Sequence, residues 1–272
     1  MTYWAAIARK SFQGGSTVEV PLPSSPKLIG ASLLPPKHDP FYSQLFELEI
    51  QRHTTIAKRF DFHGSMIDQL MALVSSKSNV KNPTRVEVVT ALLNRCIVNA
   101  AKKNNDPLRP FILFMPFTIQ NLLNPLLPHK LVENYLTFFL VPIPDEGDLE
   151  IPTLVSNIQK EKINYFRKYK GININQTIST ISNDTEDFKQ NNLANTRLTT
   201  SLCGYQFYDM DFGFGKPEKV SIGAMLIKYS MVLFDSPCKG GIDVVITLEE
   251  EVMPNFEIDE ELNTFTSLDP SY

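Results

Sequence analysis

Apolar residues change their spacing several times along the chain, and each change predicts an element of secondary structure. Alternating or continuous apolar runs are typical of strands, whereas apolar residues repeated every three or four positions are typical of helices. Strands are predicted at residues 54–62, 110–117, 135–141, 220–234 and 242–248. Helices are predicted at residues 64–75, 84–103, 153–170 and 255–262, and the polar stretch 173–200 fits either helices or loops. Strands that alternate irregularly with helices predict an α/β or α+β domain built around a mixed sheet.

One helix start is defined residue by residue. In Asn82-Pro-Thr-Arg-Val-Glu87, the Thr84 hydroxyl can cap the first turn and Glu87 can bond back to the cap, which is the capping-box arrangement. The apolar stripe that follows consists of Val86, Val89, Leu93, Cys96 and Ala100. This stretch therefore predicts a core helix that begins next to Thr84.

The first residues predict a different organisation from the rest of the chain. Thr2–Arg9 has a helical pattern that puts Trp4, Ile7 and Ala8 on one face, but no capping residue precedes it. Residues 13–40 are rich in proline and glycine, which interrupt helices and interior strands, so they predict an extended crossover. We expect residues 1–52 to be a remnant helix plus this crossover, and residues 53–272 to form the main domain.

Composition and charge exclude several classes of protein. With 272 residues, 43% of them apolar and 21% charged, the chain is long enough to bury a sizeable core. A net charge of −4 gives no basic surface for nucleic acid, and no apolar run approaches the roughly 18 residues of a membrane span. Three scattered cysteines, Cys96, Cys203 and Cys238, predict neither a disulfide framework nor a metal site. These observations predict a soluble, cytoplasmic protein without nucleic-acid or membrane partners.

The sharpest local motif is Asp211-Phe-Gly-Phe-Gly-Lys-Pro217. Two glycines two positions apart, followed by a proline, predict a tight turn with positive φ angles. The motif contains Asp-Phe-Gly, but the other kinase motifs are missing, and neither a Walker loop nor Gly-x-Gly-x-x-Gly occurs. Taken by itself, the motif predicts a structural turn.

The histidines do not form a recognisable catalytic or metal site. His38, His53, His63 and His129 include no His-x-x-x-Asp pair and no metal-ligand spacing. No Gly-x-Ser-x-Gly nucleophile motif occurs either. No catalytic residue and no metal ligand is therefore assigned from the sequence.

Five segments taken together resemble the plant BAHD acyl-CoA-dependent acyltransferases. Asp211–Pro217 resembles the Asp-Phe-Gly-Trp-Gly-Lys-Pro signature of that family, with Phe214 in the place of its tryptophan. The other four segments are similar to family segments in the same order, and they are Trp4–Arg9, Asn82–Ala91, Pro125–Asn134 and Gly241–Glu249. The opening Asn-Pro-Thr-Arg-Val-Glu is most similar to the vinorine-synthase-like group, whose members acetylate alkaloids.

The resemblance implies a chloramphenicol-acetyltransferase-like α/β fold, with a mixed sheet, flanking helices and a channel between two domains. Acyl-CoA, acetyl-CoA in this group, is the implied co-substrate, with no permanently bound cofactor, and a small hydroxyl compound is the implied acceptor. A histidine in His-x-x-x-Asp would deprotonate that hydroxyl, which attacks the thioester directly. The residues carried over to this chain are Thr84 and Arg85 for the CoA side, and Asn134 and Ser201 for the substrate channel. The structural motif carries over to Asp211, Gly213, Phe214 and Gly215.

The chain departs from the family pattern at three places. The His-x-x-x-Asp motif is absent, so the N-terminal half of the family fold is expected to be missing together with its catalytic base. Gln120 stands near the place of an arginine that pairs with the signature aspartate, so Asp211 is expected either to lack an ionic partner or to bond Gln120. Glu133 replaces a glycine before Asn134 and adds bulk and charge on the channel side.

Three functional hypotheses follow. The first is an acyltransferase that moves an acyl group, acetyl in this group, from acyl-CoA to a hydroxyl of a plant specialised metabolite such as an alkaloid. In that case this chain alone is expected to be inactive, because loss of a general base typically costs about 10²–10⁴ in rate. The second is a non-catalytic pseudoenzyme that binds a ligand or a protein partner, such as an N-terminal half or a full-length relative. The third is a working enzyme that recruits His38 or His53, or is complemented by a separate N-terminal chain.

Overall fold

The secondary structure follows the predicted alternation of strands and helices. The computed structural model describes residues 2–12, 54–78, 80–104, 109–120, 122, 135–192, 195–223, 225 and 227–268. The strands of this part are β1 (Thr55–Phe62), β2 (Phe111–Thr118), β3 (Leu136–Ile143), β4 (Thr196–Ser201), β5 (Ser230–Asp235), β6 (Ile242–Glu249) and β7 (Ser267–Leu268). Its helices are α1 (Thr2–Phe12), α2 (Gly64–Lys77), α3 (Arg85–Lys102), α4 (Ile151–Tyr169), α5 (Ile174–Asn192), α6 (Met253–Glu257) and α7 (Glu260–Phe265). Short 3₁₀ turns lie at Glu146–Leu149 and Phe207–Asp209.

All seven strands join one mixed sheet in the order β3-β2-β4-β5-β6-β1-β7. β4 pairs parallel with β2 through its first half and parallel with β5 through its second half. The remaining neighbours are antiparallel. Since β1 and β5 are both antiparallel to β6, the strands β1, β2, β4 and β5 all end at the same edge of the sheet.

One face of the sheet is covered by helices, and the main core lies between them. Thr84 and Glu87 form the expected capping box at the start of α3, whose following turns are buried on nearly every side by α2, α4, α6 and the sheet. Across this core, Phe60 of β1 meets Phe256 of α6 edge-on, with ring centroids 5.3 Å apart. Burial of such rings is the dominant stabilising contribution of a domain of this size.

A charged network is buried on the opposite face of the sheet. The Arg59 side chain is 3% exposed and the Asp243 side chain 1%, and the two form an ion pair across β1 and β6. Arg59 also donates to Asp61 Oδ1 at 3.2 Å and to the Val220 carbonyl at 2.8 Å. Burial raises the pKa of Asp243, whereas the Arg59 cation lowers it. Arg59 thus attaches the chain that precedes β5 to the sheet.

Most predicted elements are confirmed, with shifts of one to three residues at their ends, and 173–200 contains both α5 and β4. The predicted strand 220–234 is wrong in its first part, because β5 begins only at Ser230. Val220 lies outside the sheet, where its N–H donates to the Tyr208 hydroxyl at 3.1 Å and its carbonyl accepts from Arg59. The predicted helix at 255–262 is two short helices, the second capped by Asp259.

The first helix is present and runs from Thr2 to Phe12. Ala5 and Ala6 are buried, whereas Trp4 is 61% exposed and Ile7 41% exposed. The buried residues of α1 are therefore its small ones, while Trp4 and Ile7 keep a large part of their surface exposed.

Several predicted features fall outside the described residues. These are the crossover, the boundary at 52/53, His38, His53, Pro125–Pro128, His129, Glu133 and Asn134. Within the described part, no helix is long and apolar enough to cross a membrane. No cluster of three or more His, Cys, Asp or Glu side chains in that part could hold a metal ion.

Candidate substrate site

Residues at the end of β4, the end of β5 and the start of α3 meet where the parallel strands end. β4 ends at Ser201 and β5 at Asp235, while α3 begins at Arg85 beside them. We call Arg85, Ser201, Gly204 and Asp235, with the hairpin 236–241 between β5 and β6, the carboxyl-edge cluster. In open α/β sheets, ligands bind outside the carboxyl ends of parallel strands, so this edge is the first place to look for substrates.

Arg85 fixes the hairpin of this cluster to the start of α3. Its Nη1 donates to the carbonyls of Gly240 and Gly241 at 3.1 and 3.2 Å, and its Nη2 donates to Asp235 Oδ1 at 3.0 Å. The Arg85 side chain remains 37% exposed. The guanidinium therefore has a structural role and still presents a positive charge at the edge of the sheet.

Ser201 and Gly204 lie at the other side of the cluster. The Ser201 hydroxyl accepts from the Cys203 N–H at 3.3 Å, and the Gly204 N–H donates to Asp235 Oδ2 at 2.6 Å. Gly204 has a φ of +88°, which lets the chain turn sharply after β4. Burial raises the pKa of the Cys203 thiol, so this cysteine stays neutral and is a poor nucleophile.

The hairpin packs too closely against the end of β1 and the start of α2 to accept any larger residue at two glycines. A Cβ added to Gly64 would lie 2.8 Å from the Lys239 carbonyl oxygen, and one added to Gly241 would lie 2.9 Å from the Phe62 carbonyl oxygen. These backbone contacts hold the hairpin in addition to Arg85.

Thr84 serves the helix start itself. Its side chain accepts from Glu87 N at 3.3 Å, and Glu87 Oε2 accepts from Thr84 N at 3.0 Å. The buried Glu87 carboxylate also accepts from Gln159 at 2.9 Å and pairs with Lys162 at 3.3 Å. A carboxylate thus already occupies the positive end of the α3 dipole, where a phosphate would otherwise be favoured.

The Asp211 turn forms a second, separate cluster. Asp211 Oδ1 accepts from the N–H groups of Gly213 and Gly215 at 2.8 and 3.1 Å. These two bonds, followed by the Arg9 cation, hold the pKa of Asp211 below its usual value. Gly213 and Gly215 have φ angles of +118° and +109°, as the sequence predicted for this turn.

Helix α1 packs against this turn through three side chains. Arg9 Nη1 lies 3.5 Å from Asp211 Oδ2, and the Trp4 ring meets Phe212 edge-on with centroids 5.2 Å apart. A Cβ added to Gly213 would lie 3.0 Å from the Cβ of Phe12, so Phe12 packs directly against this glycine. The expectation that Asp211 either lacks an ionic partner or bonds Gln120 in its place is therefore wrong, because Arg9 supplies a cation from another element.

An open cleft of about 710 Å³ lies between α1 and the turn. It is lined by Trp4, Ala8, Ser11, Phe12, Phe212 and Phe214. Phe214, in the tryptophan place of the family signature, is 82% exposed at the rim, and Phe12 is 71% exposed. This is a concentrated aromatic surface on the described part of the chain.

The structure thus brings two of the four predicted substrate residues to the same edge of the sheet, since Asp235 bonds Arg85 and also the N–H of Gly204, three residues after Ser201. Thr84 adjoins them as a helix cap, and Asn134 lies outside the described residues. Sequence reasoning missed both Asp235 and Arg9. The aspartate directly before the Ser236-Pro237 turn was a local signal for Asp235, but its partners are far away in sequence.

Comparison with known proteins identifies the family of this chain. The profile of the Transferase family matches residues 1–263. The chain belongs to this family, the BAHD acyltransferases. Diaboline synthase from a Strychnos species is 31% identical over 98% of this chain and 57% of its own length.

Solved structures show the same fold. Vinorine synthase superimposes with a TM-score of 0.69 at 20% identity, over 100% of this chain and 60% of its own. TRI101 of F. sporotrichioides, solved in complex with coenzyme A and T-2, matches with a TM-score of 0.65 at 14% identity over 80% of this chain and 52% of its own. The predicted chloramphenicol-acetyltransferase-like fold is confirmed. This BAHD chain spans a little over half the length of the relatives that it matches.

Proposed function

We propose that this chain is part of an acyl-CoA-dependent O-acyltransferase and contributes the carboxyl-edge cluster to its substrate site. The complete activity would transfer an acyl group from acyl-CoA to a hydroxyl of a plant metabolite such as an alkaloid. The acyl group is proposed to be acetyl, because members of the vinorine-synthase-like group acetylate alkaloids. The observation that carries the proposal is the carboxyl-edge cluster, in which the Asp235 carboxylate bonds both Arg85 and the N–H of Gly204, three residues after Ser201. Arg85 belongs to the proposed CoA side and Ser201 to the proposed acceptor side.

Arg85 is the residue of this cluster best suited to an anionic donor. Its side chain is 37% exposed and, among the described residues, its charge is shared with a single carboxylate, whereas the N-terminus of α3 is already satisfied by Glu87. We therefore assign Arg85 to attraction of the CoA phosphates and Thr84 to shaping the helix start. Asn134 and Ser201 remain our candidates for the acceptor channel, and Asp211, Gly213, Phe214 and Gly215 for the structural motif.

The chain alone is proposed to bind the donor without turning it over. None of its four histidines lies in a His-x-x-x-Asp motif, so the family's general base is not supplied by these residues. Without a positioned general base, a bound thioester is expected to react only at the uncatalysed rate.

Calorimetric titration of the purified chain with CoA and acetyl-CoA tests the donor site. We expect saturable binding that weakens by about tenfold in Arg85→Ala, as for loss of one charged contact. Arg95→Ala is the matched control, since Arg95 pairs with Glu150 and Glu261 away from the cluster. Absence of CoA binding by the wild-type chain would contradict the donor site.

A turnover assay with acetyl-CoA and a panel of alkaloid alcohols tests the proposed inactivity. We expect no product above the uncatalysed rate. Product formation that disappears in His38→Ala or His53→Ala would replace this proposal with that of a working enzyme.

A second candidate function is binding of a protein partner, favoured by the exposed aromatic side chains around the cleft. Trp4, Phe12 and Phe214 are each more than half exposed. The partner proposed is a polypeptide that supplies the rest of the family fold, either a separate chain or a full-length relative. Co-expression with such a chain should give a stable complex that Phe214→Ser and Trp4→Ser weaken, while Lys216→Ala leaves it intact. A monodisperse monomer in all samples would reject this candidate.

A further inference from the structure

The two oxygens of the Asp235 carboxylate bond to two different elements. Oδ1 accepts from Arg85 Nη2 at 3.0 Å, and Oδ2 accepts from the Gly204 N–H at 2.6 Å. Arg85 opens α3, and Gly204 lies on the chain that leaves β4 after Ser201. We propose that Asp235 is a positioning residue that couples the two sides of the carboxyl-edge cluster, so that a change at Arg85 alters residues 201–204. The names of the two sides, donor and acceptor, rest on the proposed function.

Gly204 is the less crowded end of this connection, because a Cβ built on it meets no atom within 4 Å. Its hydrogen bond to Asp235 is charge-assisted and short. Together with the backbone bonds from Leu202 N–H to the Leu233 carbonyl at 2.7 Å and from Tyr205 N–H to the Leu202 carbonyl at 3.3 Å, it sets the position of this turn. A rotation of the Asp235 carboxylate is thus transmitted to Gly204.

The hairpin is the rigid side. Arg85 holds the Gly240 and Gly241 carbonyls, and the hairpin is also packed against Gly64 and Phe62 with no room for a further carbon atom. A force on the Arg85 guanidinium therefore moves the Asp235 side chain more easily than the hairpin backbone. Close-packed regions respond to such a change by a shift at their least restrained contact.

An anionic ligand supplies such a force. A phosphate that bonds Arg85 competes with Asp235 Oδ1 for the same guanidinium, which frees one carboxylate oxygen. The Gly204 turn then relaxes next to Ser201, on the proposed acceptor side. Because coupling free energies are reciprocal, a ligand that orders residues 201–204 changes the affinity for the anion by the same factor.

Amide hydrogen exchange of the 272-residue chain, read by NMR at Gly204, tests the coupling without any ligand. Arg85→Ala should speed exchange at Gly204 by about tenfold, although Arg85 does not contact that amide. Arg85→Lys, which keeps the charge, should restore part of the protection. Arg95→Ala is the control and should leave Gly204 exchange unchanged.

The fold is monitored in the same spectra by amides of β6, such as Ile246, which should stay slow in every variant. Asp235→Asn provides a second route if Arg85→Ala does not fold, and it should also speed Gly204 exchange. Unchanged Gly204 exchange in both Arg85→Ala and Asp235→Asn would overturn the coupling.

A second arm adds CoA to the wild-type chain and to Asp235→Asn. We expect CoA to change Gly204 exchange in the wild type and to leave it unaltered in Asp235→Asn. CoA that binds without moving Gly204 in the wild type would overturn the ligand-driven step. Failure of CoA to bind at all would count against the proposed function, while the ligand-free arm still decides the coupling.

Discussion

Arg9 Nη1 and Asp211 Oδ2 lie 3.5 Å apart although 202 positions separate them in the sequence. The Asp211 carboxylate uses its other oxygen for the backbone of its own turn, so one side chain both shapes the turn and attracts α1. The turn therefore acts as the docking surface of α1.

Substitutions of Asp211 should separate these two roles. Asp211→Asn keeps an oxygen for the Gly213 and Gly215 amides but loses the charge that faces Arg9, whereas Asp211→Ala loses both. We expect α1 to detach at a lower urea concentration in Asp211→Asn, and lower still in Asp211→Ala. Trp4 is the chain's single tryptophan and contacts Phe212, so its fluorescence reports this step. Equal midpoints in the two variants would mean that the charge contributes nothing.

Alanine substitutions at the two turn glycines measure the contact with Phe12. Both residues have positive φ, but a Cβ on Gly213 would lie 3.0 Å from the Phe12 Cβ, while one on Gly215 meets nothing within 4 Å. Each substitution introduces backbone strain of about 1 kcal/mol, and only Gly213→Ala should also displace α1. The expected result is a larger change of Trp4 fluorescence in Gly213→Ala. The same change in both variants would show that strain alone is responsible.

The buried Arg59–Asp243 pair should be sensitive to loss of one partner. Asp243→Ala leaves the Arg59 cation buried without its main counter-ion, and such a change typically costs about 3–5 kcal/mol. Arg59→Met combined with Asp243→Leu should cost far less, because both charges are removed together. Lys216→Ala, in a pair with more than half of each side chain exposed, should stay within about 0.5 kcal/mol. Urea unfolding measures all three, and a small effect of Asp243→Ala would contradict the role of this pair.

Two tyrosines of α4 should make the protein sensitive to alkali. Burial, followed by the Asp184 charge, raises the pKa of Tyr165 to about 12, and burial also raises the pKa of Tyr169. Since the folded pKa exceeds the usual value of about 10, the neutral phenol contributes stability that is complete below pH 10 and is lost as pH rises towards 12. Tyr165→Phe should reduce the loss of thermal stability between pH 10 and 12. An identical pH profile in wild type and variant would contradict the raised pKa.

The start of α3 could be predicted because its capping residues are close together in the sequence. The contacts that build the sites could not be predicted, because they join residues far apart in the sequence. Thr84 and Glu87 are three residues apart, so their mutual caps follow from spacing alone. Arg85 and Asp235 are 150 positions apart, and their ion pair depends on how the whole sheet is assembled. The predicted strand at 220–234 failed for the same reason. Its apolar residues fit a strand, but Val220 is held outside the sheet by Arg59 and Tyr208.

The alanines of α1 give a second example. The sequence places Trp4, Ile7 and Ala8 on one helical face. In the structure Ala5 and Ala6 are buried, while Trp4 stays largely exposed and meets Phe212 edge-on. Phe212 lies about two hundred positions further along the chain, so this contact cannot be derived from α1 alone.

The strand order has a consequence for how the chain is made. β1 pairs along its whole length with β6, from Thr55 opposite Glu249 to Phe62 opposite Ile242, and near its end with β7. β1 is therefore synthesised nearly two hundred residues before β6 and β7, the strands with which it pairs in the described sheet. Such long-range closure is slow and leaves apolar edges open during synthesis. We expect the nascent chain to depend on chaperones until residue 249 has emerged, and the last strands to complete the sheet in one late, cooperative step.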